Sequence, residues 1–197
     1  MNKNRIKFID LYAGLGGFHQ ALEKLGHDCV WASEYNFNLR ELYKKNFPKT
    51  PIEGDIFQVN LTDIPPHDLI CGGFPCQPFS HAGLKEGFSD TRGTLFFDVE
   101  RIARHHNPKV MLLENVKGLV SHDKGRTLQV ILNSLDQLGY WVEHKVLNAK
   151  DFGVPQNRER ILAGLRGFMY SLDKDIDFNK FYDELTTYKK NHIDPYY

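Results

Sequence analysis

From Arg5 to about Arg166, short apolar runs alternate with stretches of helical period, and no other feature of the chain constrains its fold as tightly. The apolar runs are IKFIDLY, CVWASE from Cys29, HDLICGG from His67, KVMLLENV from Lys109, YWVEHKVLNA from Tyr140 and RILAGLRG from Arg160. Between them, GFHQALEKLG reads as a helix closed by Gly26, NLRELYKKNF as one stopped by Pro48, and TLFFDVERIARHH and GRTLQVILNSLDQLG as two more. Strand and helix in strict alternation predict an α/β fold, a doubly wound, mostly parallel sheet with helices on both faces.

Two segments break the pattern. Residues 73 to 93, GFPCQPFSHAGLKEGFSDTRG, carry glycines, prolines and polar residues without periodicity, and a loop of that length inside a compact domain is usually functional. Residues 167 to 197 are polar and aromatic with weak helical character, which suggests a peripheral tail. At 197 residues the chain suffices for one domain with a sizeable core. Lys plus Arg, 25, equals Asp plus Glu, 25, so there is no overall basic field, and any nucleic-acid contact must be local or helped by a partner. No apolar run approaches the roughly 18 to 20 residues of a membrane span, and MNKNRIKF lacks a signal-peptide core, so a cytoplasmic location is expected.

The first strand runs into Asp10-Leu11-Tyr12-Ala13-Gly14-Leu15-Gly16-Gly17 and then opens a helix. Glycines there allow a sharp turn and a close backbone approach by a ligand, at the sheet edge where doubly wound folds bind cofactors. Glu34, closing the second strand, can accept from ribose hydroxyls, and Asp55 in Glu53-Gly54-Asp55-Ile56 can accept from the exocyclic amine of an adenine. Taken singly, both carboxylates also suit plain surface positions. The turn lacks GxGxxG spacing, which favours an adenosyl cofactor without a pyrophosphate over NAD.

Three cysteines without CxxC spacing argue against a disulfide framework and a zinc site. Cys29 and Cys71 fall inside strand runs and read as small buried hydrophobes. Cys76, between Pro75 and Pro78 in GGFPCQPFS, is presented by a stiffened loop and is the candidate nucleophile. Glu114, directly after VMLL, is a candidate acid or hydrogen-bond partner, though alone it serves equally as a loop brace. Arg158 and Arg160 share one face if extended, an arrangement that alone would suit surface salt bridging.

Together these segments resemble the cytosine-C5 DNA methyltransferases of bacterial restriction-modification systems. The ordered match is FIDLYAGLGGF, Glu34, GDI, GFPCQPFS, DTRGTLFFD, ENV and QNRERI, with Tyr12 where the family usually has Phe. The resemblance implies a Rossmann-like fold and S-adenosylmethionine as cofactor. It places Gly14, Gly16 and Gly17 under that cofactor, Tyr12 on its adenine, Glu34 on the ribose, Asp55 and Ile56 beside the adenine, and Pro75 and Leu95 in the pocket wall. It makes Cys76 the nucleophile on C6 of a cytosine flipped out of double-stranded DNA, gives Glu114 the N3 and 4-amino edge, and has Arg158 and Arg160 orient base and phosphate.

The family's pattern continues past QNRERI into a target-recognition domain and further motifs that this sequence does not display. The expected organisation is a catalytic domain over 1–166 and a tail over 167–197, with a second polypeptide supplying recognition. RNA cytosine methylation, or a silent fragment that binds cofactor or partner, are the alternatives.

Overall fold

The computed structural model describes residues 5–75 and 95–167, and everything structural below concerns those residues. Seven strands form one sheet: β1 (Lys7–Leu11), β2 (Asp28–Ser33), β3 (Ile52–Glu53), β4 (Leu69–Gly72), β5 (Val110–Val116), β6 (Tyr140–Asn148) and β7 (Glu159–Gly167). Four helices connect them: α1 (Gly17–Lys24), α2 (Phe37–Asn46), α3 (Leu95–His106) and α4 (Arg126–Gln137). The spatial order is β3-β2-β1-β4-β5-β7-β6.

The central strands read as continuous apolar runs because both their faces are covered. Phe8, Leu69, Cys71, Val110 and Leu112 pack with Leu22 of α1, whereas the alternate residues Ile9, Leu11, Ile70, Met111 and Leu113 pack with Phe96, Val99 and Ile102 of α3 and Ile131 and Leu135 of α4. That period of two within each strand sorts one core into two layers.

Pairing is parallel from β3 through β5 and antiparallel where β7 inserts between β5 and β6. Only residues 149–158, including the 3-10 turn Ala149–Phe152, link β6 to β7. A connection that short returns the chain as a hairpin, since a parallel crossover needs a dozen residues or more. All six apolar runs and all four helices of the sequence reading form, and the structure adds the two-residue β3. No helix among the described residues is long and apolar enough to cross a membrane. The expected tail, from residue 168 onward, lies outside the described residues.

Candidate functional site

The turn after β1 folds back into α1 by means of three positive φ angles in five residues, Tyr12 at 56°, Gly14 at 55° and Gly16 at 83°. Glu34, immediately past β2, holds this turn in place. Its Oε2 accepts from the Gly14 amide at 2.8 Å and its Oε1 from the Asn36 amide at 2.8 Å. Asn36 then caps α2, its Oδ1 accepting from the amides of Asn38 and Leu39. One carboxylate thereby links the turns that follow β1 and β2, and its remaining lone pairs stay available.

These turns border a cavity of about 490 Å³ at the carboxyl edge of the sheet. That is within the roughly 300–1,000 Å³ of small-molecule sites, and this edge is where doubly wound folds bind ligands. Six of the expected cofactor residues line it: Tyr12, Glu34, Asp55, Ile56, Pro75 and Leu95. The Tyr12 hydroxyl donates to the Leu95 carbonyl at 2.6 Å, tying the β1 turn to the start of α3, and burial pushes its phenol up. Asp55 caps the 3-10 turn Ile56–Gln58 by accepting from the Phe57 amide at 3.1 Å. Arg101 of α3 secures that turn from behind, donating to the carbonyls of Ile56 at 2.9 Å and Val59 at 3.3 Å.

Gly14, Gly16 and Gly17 are not in the wall. Gly14 contributes its amide to Glu34, Gly17 is the exposed first residue of α1, and Gly16 faces a protein ring: a β-carbon there would collide with Cε2 of Phe47. Sequence reading missed Ser33, Tyr35, Asn36, Gly54 and Gly73, which complete the lining. Ser33 had a signal, a polar residue closing an apolar strand. Its Oγ is buried with no hydrogen-bond partner among the described residues. Two carboxylates, an orphaned hydroxyl, two tyrosine rings and apolar Ile56, Pro75 and Leu95 form a lining suited to an adenosyl group.

Beside the cavity stands a second constellation. Arg160, near the start of β7, donates from Nε to Oε1 of Glu114 on β5 at 2.7 Å. Gly73 lines the cavity and also abuts this pair, for a β-carbon on it would sit 3.2 Å from Oε2 of Glu114. Asn115, buried next to Glu114, donates from Nδ2 to the Phe74 carbonyl at 2.8 Å and so fixes the segment leading to Pro75. Arg158 is not drawn in: it precedes β7, is exposed, and its guanidinium makes no bond to a described residue. Cys76 follows Pro75 in the chain and lies outside the described residues. Cys71 is fully buried and Cys29 partly so, and burial pushes the first thiol well up and the second to about 12, as befits structural thiols.

Comparison with known proteins bears on this arrangement. The sequence profile of the C-5 cytosine-specific DNA methylases matches residues 6–194. The chain is 48% identical over 194 residues to the Type II methyltransferase M.HhaI of Haemophilus parahaemolyticus, covering 96% of this chain and 57% of that protein. It is 55% identical over 174 residues to the Type II methyltransferase M.NlaX of Neisseria lactamica, covering 87% of this chain and 54% of that protein. The crystal structure of the S. pombe Dnmt2 methyltransferase superposes with a TM-score of 0.69 at 27% identity, over 83% of this chain and 51% of that one. The chain thus spans about half the length of the relatives it matches.

Proposed function

The chain belongs to the C-5 cytosine-specific DNA methylases, and on that premise we propose that it carries the catalytic half of a DNA cytosine-C5 methyltransferase with S-adenosylmethionine as methyl donor. One observation carries the reading: the adenosyl-type cavity and the Glu114–Arg160 pair meet at Gly73, three residues before Cys76. Bound S-adenosylmethionine would supply the electrophilic methyl group, held by Tyr12 and Ile56 at the adenine, Glu34 at the ribose and Asp55 at the adenine amine. Pro75 and Leu95 would enclose it, while Gly14, Gly16 and Gly17 shape the turn.

The protein's own part is to activate the base. C5 of cytosine is a poor nucleophile until the Cys76 thiolate adds to C6 and makes C5 an enamine carbon. Flipping exposes C6, which is inaccessible in the stacked duplex. Glu114 would grip N3 and the 4-amino group, kept in orientation by Arg160, with Arg158 free to reach a phosphate. Loss of the C5 proton and of the thiolate then restores the aromatic ring.

The proposed catalytic domain spans 1–166 and the tail 167–197. Target recognition is assigned to a unit outside this catalytic half, a further domain or a second polypeptide, either of which the half-length match to the relatives allows. Leu15 of the β1 turn, Tyr35 of the cavity wall and Phe37 at the start of α2 are 60%, 78% and 64% exposed, apolar surface of the sort that a partner covers.

The test is covalent trapping. With its partner, the wild-type chain should form an adduct with DNA carrying 5-fluorocytosine and transfer labelled methyl groups to ordinary DNA, and Cys76→Ser should do neither. Trapping by Cys76→Ser would refute the assignment.

A further inference from the structure

The cavity wall that bears Glu34, Tyr35, Gly54 and Asp55 comes from two separate turns, one after β2 and one after β3. Their strands are joined only briefly, at Ala32–Ile52 and Ser33–Glu53, with a last backbone bond from the Glu34 amide to the Glu53 carbonyl at 3.0 Å. Beyond it the ladder ends, and a side chain takes over. Arg40 of α2 donates from Nη1 to the carbonyl of Glu34 at 2.8 Å and that of Tyr35 at 3.2 Å. The same guanidinium lies against the opposite turn. A β-carbon on Gly54 would meet Arg40 Nη1 at 3.3 Å, Cζ at 3.7 Å and Nη2 at 4.0 Å, and nothing else that close. The ring of Phe37 stands 5.6 Å from Cζ and adds a cation–π contact.

We propose that Arg40 is a positioning residue for the nucleoside end of this cavity: it clamps Glu34 and Tyr35 against Gly54 and so sets the gap that the adenosyl group enters. The inference rests on the reading that S-adenosylmethionine binds here. Arg40 acts through the two turns, Nη1 bonding the carbonyls of one while the flat guanidinium lies against the other, a breadth of contact that a lysine ammonium lacks. Gly54 is the complement of that guanidinium, since a β-carbon there would make a tight 3.3 Å contact with Nη1 and press it away by a few tenths of an ångström.

Calorimetry on the 197-residue chain with S-adenosylmethionine and with 5′-methylthioadenosine, which lacks the amino-acid arm, tests the proposal. Arg40→Met should weaken both ligands by the same factor, roughly 5- to 20-fold, with Arg40→Lys recovering only part. Gly54→Ala should weaken binding in the wild-type background and add little on top of Arg40→Met, because both changes break one clamp. Wild-type affinity in Arg40→Met, or strictly additive effects of the two substitutions, would overturn the proposal. If Arg40→Met does not fold, Arg40→Lys and Gly54→Ala decide it, wild-type affinity in both being the refuting result. Failure of the unaltered chain to bind either ligand would instead remove the cofactor reading, and the clamp's purpose with it.

Discussion

Arg160 and Glu114 form an ion pair of 2.7 Å across the junction of the parallel and antiparallel parts of the sheet, each side chain about one-quarter exposed. The pair is dry enough for its geometry to matter and open enough for a substrate to reach it. Glu114→Gln should lower the turnover of the assembled enzyme by about 10²- to 10⁴-fold, the span typical of a lost acid–base or charge-stabilising group. Arg160→Lys keeps the charge but not the fixed fork. It should cut turnover by a smaller factor while leaving the KM for S-adenosylmethionine unchanged. Kinetics on labelled cofactor and DNA separate the two, and an unchanged turnover in Glu114→Gln would exclude its role.

The neighbouring Asn115 predicts a different outcome. Its side chain satisfies the Phe74 carbonyl at 2.8 Å in a buried setting and accepts from the more open Val116 amide at 2.8 Å. Asn115→Ala strands the buried carbonyl, which should cost about 1–3 kcal/mol of stability in urea denaturation. Because the Phe74 segment leads to Pro75 and Cys76, turnover should fall as well even at temperatures where the variant is fully folded.

How much of this was legible in the sequence depends on the range of the interaction. Strands such as LICG and VMLL were visible because burial on both faces makes them uniformly apolar, and helix ends because Gly26 and Pro48 act locally. The two-residue β3 had too little pattern to register, and its pairing with β2 comes from the fold around it. At the site, residue types at strand ends pointed to Glu34 and Asp55, and the family resemblance to Tyr12, Ile56, Pro75 and Leu95, but neither told what each one bonds to. That Glu34 serves the Gly14 amide, or that Arg40 abuts Gly54, follows from contacts over fourteen to twenty positions that no local pattern encodes.

The glycines of the β1 turn illustrate the same limit and give a prediction. Gly14 and Gly16 both have positive φ, 55° and 83°, and the sequence reading grouped them under one role. A β-carbon at Gly14 meets nothing within 4 Å, whereas at Gly16 it would strike the Phe47 ring, which is stacked on His19 at 3.7 Å. Gly14→Ala should therefore cost only the left-handed backbone penalty, about 1–2 kcal/mol. Gly16→Ala should cost that plus an overpacking term of roughly 1–3 kcal/mol. Urea midpoints of the two variants should rank in that order, and equal losses would show that Phe47 yields freely.

His67 makes stability pH-dependent in a definite direction. Its Nδ1 donates to the Pro65 carbonyl at 2.8 Å, leaving Nε2 as a buried acceptor with no partner among the described residues, and its ring centre is 4.9 Å from that of His106. Burial, with the nearby His106 adding to it, lowers the imidazole to about 4 from an ordinary 6.5. The unfolded chain therefore takes up the proton first. The stabilisation is complete above about pH 6.5 and drains away as the pH falls towards 4, a total on the order of 3 kcal/mol. His67→Gln cannot titrate, so relative to its urea midpoint that of the wild type should fall steadily as the pH is lowered from 7.5 to 4.5. A difference that stays constant across this range would mean that His67 is as easily protonated in the folded protein as in the unfolded chain.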